Sequence, residues 1–157
     1  MATTADPARF IYHGNAMPLG GRIKGIGGTP APRLIPCPPT SALTVAGGLS
    51  RITGTGSSFE DIVAWGATVA EARGEEVGDR HITTVTVSVA DFAAANEPHK
   101  FKSAMLKATI ASDHPIRGQP SIAPTEILFA GLTLNGKEIR VEFDDDFRRD
   151  ATFAAFE

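Results

Sequence analysis

The chain has 157 residues, of which 42% are apolar and 21% are charged, values typical of one folded domain. Its formal net charge is only −3, and its 15 Lys and Arg residues are scattered along the sequence. A nucleic-acid-binding domain usually carries a basic patch, so the charge argues against a nucleic-acid partner. No run of about 18 apolar residues occurs, and we therefore expect no membrane-spanning helix.

The N-terminus and the single cysteine leave the cellular compartment open. Residues 1–7 have neither the basic region nor the apolar region of a signal peptide. The protein is therefore expected either in the cytoplasm or, if a signal was removed, outside it. One cysteine, Cys37, cannot form an internal disulfide, and we interpret it as a half-buried loop thiol.

A segment rich in glycine and proline follows a short strand candidate at residues 8–13. Six of the 16 glycines lie between residues 14 and 28, and five of the 11 prolines lie between residues 30 and 39. Glycine adds backbone freedom and proline removes a hydrogen-bond donor, so regular strand pairing is not expected there. We interpret residues 14–39 as an irregular arm, because long structureless segments in compact domains are usually functional.

Three predicted strands lie between the arm and the strongest strand. Apolar runs at residues 42–46 and 49–53 are separated by Gly47 and Gly48, a pair suited to a tight hairpin turn. Residues 59–73 fit either a helix with an N-terminal capping box or a long strand. We favour the strand, because the charged turn that follows would join it to the next strand as a hairpin.

The strongest strand prediction covers residues 81–90. Valines alternate with hydroxyl residues, a period of two that places the valines on one face and Thr84, Thr86 and Ser88 on the other. β-Branched residues on both faces agree with a strand. This hydroxyl row is either solvated or binds a partner, such as a sugar or the sheet of another copy.

The next elements lead to the clearest turn in the sequence. Residues 91–102 are predicted to be a polar connection with one helical turn at 92–95, and residues 104–112 alternate as a strand. A loop rich in Pro, Gly and Ser then precedes a strand over residues 126–133. The pair Asn135 and Gly136, flanked by apolar runs, predicts a type I′ hairpin.

The tail, residues 144–157, is predicted to be helical. It carries Phe147, Phe153 and Phe156, which are too apolar to remain in water and are expected to dock on this domain or on a neighbouring subunit. Three aspartates at 144–146 could bind calcium, but they lack the spacing of a calcium loop. Acids in the first turn of the tail helix are the simpler interpretation.

These elements amount to about eight strands at spacings of roughly 8–12 residues, with no helices between them. The sequence therefore predicts one all-β domain over residues 1–157, an antiparallel β-sandwich or barrel. Its parts would be the N-terminal arm (14–39), a β core (40–143) and a short C-terminal helix (144–157).

Motifs for catalysis, metal binding or cofactor binding do not stand out. The four histidines lack the pairwise spacing of a zinc site, and no nucleophile elbow or phosphate-binding loop occurs. We expect no metal and no cofactor, and the sequence leans against an enzyme. In a hydrolase or isomerase of barrel-like fold, a histidine with Asp113 or Glu126 would be the acid and base.

Several segments occur in an order that resembles bacterial secreted β-domains of the choice-of-anchor type. They are Leu-Ile-Pro at 34–36, Ala-Leu-Thr-Val-Ala-Gly-Gly at 42–48, Gly-Ala-Thr-Val at 66–69, Thr-Thr-Val-Thr-Val-Ser-Val at 83–89 and Ala-Thr-Ile-Ala-Ser-Asp-His-Pro at 108–115. The resemblance implies an exported β-rich domain and favours a strand at residues 59–73. It supplies no catalytic residues.

The functional hypothesis that the sequence supports best is a non-enzymatic structural or interaction protein. In this hypothesis a β-sandwich subunit self-associates into a homo-oligomer, or binds partners, through its arm and its aromatic tail. The alternative is a module that binds a carbohydrate or another small ligand through the hydroxyl row or a loop at the end of the sheet.

Overall fold

The computed structural model describes residues 10–23, 32–96, 98–144 and 151–152. These residues form strands and no α-helix, so the predicted all-β class is confirmed. Accordingly, this part of the chain contains no helix long and apolar enough to cross a membrane. The strands are β1 (Asn15–Ala16), β2 (Arg22–Ile23), β3 (Arg33–Leu34), β4 (Ser41–Ala42), β5 (Gly48–Gly54), β6 (Ser57–Phe59), β7 (Val63–Trp65), β8 (Thr68–Val77), β9 (Arg80–Asn96), β10 (His99–Pro115), β11 (Ser121–Ala130), β12 (Thr133–Leu134), β13 (Lys137–Glu138) and β14 (Ala151–Thr152).

A hairpin of the two longest strands, β9 and β10, forms the centre of the main sheet. Its antiparallel register keeps one alignment from Asn96 opposite His99 to Arg80 opposite Pro115. Strands β8 and β5 extend the sheet on the β9 side, and β11 extends it on the β10 side. All of these pairs are antiparallel, as expected for a sheet built from hairpins.

Irregular backbone divides the main sheet into a large part and a small part. Asp91 in β9 has a positive φ of 48°, and Gly131, which follows β11, has a φ of 60°. Between β7 and β8 the chain bends at Gly66, whose N–H donates a 2.7 Å hydrogen bond to the Ala90 carbonyl. Asp91, Gly66 and Gly131 mark the boundary between the two parts. On the side of this boundary nearer the closed end of the β9–β10 hairpin, β9 pairs with the short strand β7 and β10 pairs with the short strand β12. The large part comprises β5, β8, β11 and the paired halves of β9 and β10.

The alternation predicted for residues 81–90 is present and defines two faces of the large part. The inner face carries the β9 valines and the residues that the register places beside them. These are Thr68, Ala70, Ala72 and Gly74 on β8; Thr83, Val85, Val87 and Val89 on β9; Leu106, Ala108, Ile110 and Ser112 on β10; and Ile122, Pro124, Ile127 and Phe129 on β11. The outer face carries the hydroxyl row.

The described part of the N-terminal arm packs on the inner face of its own sheet. Gly14 lies so close to β9 that an added Cβ would be 3.1 Å from Cγ2 of Thr83. Further along, three apolar arm residues pack against the main buried cluster: Leu19, Ile23 and Ile35 against Val63, Trp65 and Val89. The arm also contains β1, β2 and β3, so its described residues are less irregular than the glycine and proline content predicts.

Tyr12 holds the start of the arm in a slot between two glycines. Its side chain is only 8% exposed, and a Cβ added to Gly74 or Gly47 would lie 2.6 or 2.8 Å from the ring. The Tyr12 hydroxyl is 3.1 Å from Nδ1 of His81, within hydrogen-bonding distance. Burial, more than the neighbouring carboxylates, raises the pKa of the Tyr12 phenol, so the hydroxyl keeps its proton.

Two predictions beside the central hairpin are wrong. Residues 92–95 form no helical turn, because β9 continues through them and Phe92 packs against the buried cluster. The predicted connection over 91–102 is therefore mostly the closed end of the β9–β10 hairpin. Strand β11 begins five residues earlier than predicted, because a register shift opposite Thr109 and Ile110 lets Pro124 enter the ladder.

Three earlier predictions are confirmed only in part. Residues 59–73 are strand and turn, as favoured, but they belong to β6, β7 and β8 and not to one strand. The turn near Gly47 is centred two residues earlier than predicted. The Gly47 N–H donates a 3.0 Å hydrogen bond to the Thr44 carbonyl, so Gly47 is the last residue of the turn and does not lie at its centre. Residues 10–13, the described part of the strand candidate at 8–13, form no strand, although the Tyr12 N–H donates a 3.1 Å hydrogen bond to the Val45 carbonyl.

The last two local predictions have opposite outcomes. Asn135 and Gly136 have φ values of 51° and 76° and form the predicted type I′ hairpin between β12 and β13. The helix predicted over 144–157 is wrong at Ala151–Thr152, which is strand β14 paired with the start of β11. A short isolated helix is only marginally stable in water, whereas an open strand edge offers unpaired N–H and C=O groups to an extended segment. The rest of the tail after residue 144 lies outside the described residues.

We predict that Gly74→Ala lowers the free energy of unfolding by about 1–3 kcal/mol, because the new methyl group overlaps the Tyr12 ring. Urea denaturation of the single variant, of Tyr12→Ala and of the double variant measures this effect. In the double variant the cost of Gly74→Ala should largely disappear, since the overlapping ring is gone. Additive costs would show that Tyr12 does not occupy this slot.

We predict that Thr68→Val raises the free energy of unfolding by about 1 kcal/mol. Thr68 is fully buried, and its hydroxyl has no hydrogen-bond partner among the described residues, so the methyl group of valine removes a desolvation cost without changing the shape. Thr68→Ser, which keeps the hydroxyl, is the matched control and should not stabilise. A lower thermal midpoint for Thr68→Val would mean that the hydroxyl is satisfied.

Candidate functional site

The predicted hydroxyl row lies on the outer face of β9. Thr84, Thr86 and Ser88 are all half-buried and point to the same side of the sheet. The Oγ1 atoms of Thr86 and Thr109 are 3.1 Å apart in a hydrogen bond between β9 and β10. The row is therefore partly engaged with its own sheet.

Charged residues around the hydroxyl row are paired with each other. Arg51 and Glu71 approach to 3.6 Å, and Lys107 and Glu126 approach to 2.7 Å. Along β5 and β8–β11 in the large part, the register places no aromatic side chain on the outer face. Sugar rings commonly stack on aromatic rings, so this face lacks one usual element of a carbohydrate site. The carbohydrate partner stays a prediction.

The sequence hypothesis assigns partner binding to three phenylalanines of the tail. Phe147, Phe153 and Phe156 lie outside the described residues. The closest described aromatic residue along the chain is Phe143, whose ring stacks on Phe129 of β11 with centroids 5.9 Å apart. Aromatic contact between the C-terminal segment and β11 is therefore present just before the tail.

The β9–β10 register brings together two histidines that the sequence left apart. His81 and His114 are directly opposite each other on adjacent strands. The Phe10 ring stacks on His81 with centroids 4.2 Å apart and lies 5.3 Å from the His114 ring. With Tyr12, these residues form a cluster that fastens the arm to the end of the sheet. A hairpin alignment centred on residues 97–98 was the signal that could have found this pair.

The pairs of a histidine with Asp113 or Glu126 that were considered for an enzyme are not formed by His81 or His114. Asp113 is paired with Arg80 on the outer face, with its Oδ1 3.0 Å from the arginine Nε. The hydrogen-bonding partner of His81 is a phenol, and that of His114 is the Ser112 hydroxyl at 3.1 Å. Neither contact supplies the carboxylate that would orient a histidine base.

Potential metal ligands are dispersed in the part of the chain that the structure describes. There, no three His, Cys, Asp or Glu side chains are grouped closely enough to hold an ion. Cys37 is exposed, not half-buried as predicted, because its side chain lies at the surface of the arm with Sγ 3.2 Å from the Leu19 carbonyl. Asp145 and Asp146 of the acidic cluster lie outside the described residues.

The inner face of β10 and β11 is apolar but incompletely covered. Ile110, Ile122 and Phe129 are 45%, 46% and 40% exposed, whereas Ala70 and Ala72 on β8 are fully buried. The difference arises because the described arm contacts β8 and β9. We call the inner-face residues of β10 and β11 the bare half of the inner face. It contains no charged residue among those that the register places there.

A groove follows the boundary between the arm and the bare half. Its volume is about 190 Å³. Pro18 and Leu19 form one side, and Ala108, Ile127 and Phe129 form the other. An apolar cavity of about 150 Å³ is large enough for a benzene molecule, so this groove has the size of an aromatic side chain.

Sequence reasoning missed the bare half for a physical reason. Ile110 alternates along β10 just as a buried strand residue does, so the pattern does not distinguish a covered from an uncovered apolar face. What decides its exposure is how far the arm reaches across the sheet, and that depends on contacts between distant segments such as Tyr12 and Gly74.

Comparisons with known proteins identify a family but no characterised relative. Neither a curated protein nor a solved structure matches the chain. A family model described as a domain of unknown function matches residues 10–155, which includes the arm, the sheet and β14. The chain therefore belongs to the DUF8256 family, a domain of unknown function.

Proposed function

We propose that this protein is a non-enzymatic interaction protein that pairs with a second copy of itself through the bare half of its inner face. The observation that carries the proposal is the partial exposure of Ile110, Ile122 and Phe129 on a face whose other half is buried by the arm. Contiguous exposed apolar surface on a folded domain commonly marks an interaction site.

A second copy is the partner that the chemistry of this face favours. The bare half carries no charge, so two copies can meet face to face without bringing like charges together. A partner rich in charged groups would lose solvation there without gaining ion pairs. Aliphatic and aromatic side chains from two identical sheets instead bury each other.

This pairing would also complete the β-sandwich that the sequence predicts. In a sandwich, two sheets pack through apolar faces about 10 Å apart. Each copy supplies one such sheet, and the arm covers the part of its inner face that the second copy does not reach. The groove beside Leu19 would receive a side chain from the opposite copy.

Two further parts of the sequence hypothesis belong to this proposal. The aromatic tail, with Phe147, Phe153 and Phe156, is proposed to add apolar contacts between the copies. Location outside the cell, which the choice-of-anchor resemblance implies, is proposed as the place where the pairing occurs.

We predict that Ile110→Lys weakens the pairing of two copies by at least roughly tenfold. The variant would place an ammonium group from each copy in an apolar interface. Sedimentation equilibrium should give twice the chain mass of 16.5 kDa for the parent protein. The variant should give a single chain mass at the same concentration.

Ala111→Lys is the matched control for this experiment. It introduces the same charge one residue later on β10, where the side chain points to the outer face, and should leave the dimer intact. Circular dichroism verifies that both variants keep their strands. A parent protein that stays monomeric at millimolar concentration, or equal weakening by both variants, would contradict the proposal.

A further inference from the structure

The first described residues of the arm form one strand of a small second layer above the main sheet. β1 pairs with β4, and the pairing continues back to Tyr12, whose N–H bonds to the Val45 carbonyl. Burial alternates along residues 11–17: every second residue from Tyr12 to Ala16 is buried, and the residues between them are exposed. This period of two is that of a strand packed on another sheet. We call residues 12–16 the arm strand.

One side of the arm strand is paired and the other side is open. The Tyr12 N–H and the Gly14 carbonyl form their hydrogen bonds on the side of β4. Alternate residues of a strand direct their backbone groups to opposite sides, so the N–H and C=O of His13 and Asn15 point away from β4. Among the described residues, these four groups have no hydrogen-bond partner. We call these four groups the arm edge.

The arm edge faces the bare half of the inner face. β4 lies over β5 and β8, whereas β1 lies over β8 and β9, so the open side of the arm strand is turned toward β10. Pro18 and Leu19, which follow the arm strand, form one wall of the groove whose other wall is on β10 and β11. The arm edge is therefore a row of unpaired backbone groups at the border of an apolar surface.

Other described segments of the chain end away from the arm edge. Ile23 packs against Val63 and Trp65 of β7, and the Arg33 guanidinium lies over the Phe59 ring of β6. Towards the C-terminus, the last contacts with the main sheet are made at β11, one strand beyond the strand that the arm edge faces. None of these contacts leads another described segment to the arm edge.

A sheet that covers the bare half also meets the arm edge. A β-sandwich has two layers, and the arm strand already occupies part of the second layer, above β8 and β9. A sheet packed on β10 and β11 would lie in the same layer, and its nearest strand would bury the arm edge. Buried N–H and C=O groups without partners cost free energy. Hydrogen bonds between that strand and the arm edge remove this cost.

We propose that the arm edge is a strand-addition site for the second copy, so that the second layer of each copy continues into the main sheet of the other. The inference rests on the proposed function and deepens it, because it names the contact that fixes where the second copy lies on the bare half. Two-fold symmetry forms this junction twice. Backbone hydrogen bonds at the junction set the register, and the bare half supplies the apolar contact.

Asn15→Pro tests the junction, because proline removes the N–H that points toward the second copy. Ala42→Pro is the matched control. Asn15 and Ala42 are directly opposite each other, and the Ala42 N–H points out of the other side of the two-stranded layer. Both variants keep the hydrogen bonds between β1 and β4. In sedimentation equilibrium Asn15→Pro should weaken pairing at least about tenfold, whereas Ala42→Pro should pair as the parent does.

Hydrogen exchange gives a second measurement that needs no proline. At a concentration where the parent has twice the chain mass, the amides of His13 and Asn15 should exchange at least about tenfold more slowly than in Ile110→Lys. The Tyr12 amide, which is bonded to the Val45 carbonyl, should be protected in both proteins and so show that the arm stays in place. If Asn15→Pro loses the fold in thermal unfolding, the exchange measurement decides alone.

The outcomes separate this inference from the proposed function. A dimer in which Asn15→Pro pairs as tightly as Ala42→Pro would overturn the strand-addition site and leave the proposed function standing. Equal exchange of the His13 and Asn15 amides in the parent dimer and in Ile110→Lys would do the same. A parent protein that stays monomeric at millimolar concentration would overturn both.

Discussion

The unshifted register between β9 and β10 is the constraint on which the rest of this structure depends. It aligns valines with Leu106, Ala108 and Ile110 and so creates one apolar face across neighbouring strands. A slip of one residue would move all these side chains to the outer face and bring the hydroxyl row inside. Because the apolar face must be buried, the register is strongly specified, and the positions of β8 and β11 follow from it.

The arm then decides which part of the apolar face is available. Tyr12 enters the slot between Gly47 and Gly74, and the ring stack of Phe10 on His81 fixes the chain just before it. From there the arm lies over β8 and β9, and Leu19 marks the edge of the apolar surface that the arm covers. The same contacts that stabilise the monomer thus leave β10 and β11 bare, and the proposed function follows from this division of one face.

The sequence predicts local features of this protein better than its long-range arrangement. The alternation at Val85, Val87 and Val89 and the turn at Asn135 depend on neighbouring residues, and the structure confirms both. The cross-strand pairing of His81 with His114 depends on a hairpin whose closed end was read as a polar connection with a helical turn. The strand at Ala151–Thr152 depends on an open edge elsewhere in the chain, and no local pattern reports such an edge. The candidate site was missed for the same reason, because exposure of an apolar strand face is a property of the whole fold.

The most direct test of the central claim is an isotope-filtered NOE measurement on an equal mixture of labelled and unlabelled protein. The account predicts intermolecular NOEs among the methyl groups of Ile110 and Ile122 and the ring of Phe129, and none to Thr86 on the outer face. Intermolecular NOEs confined to the outer face, or none at a concentration where the particle has twice the chain mass, would contradict it.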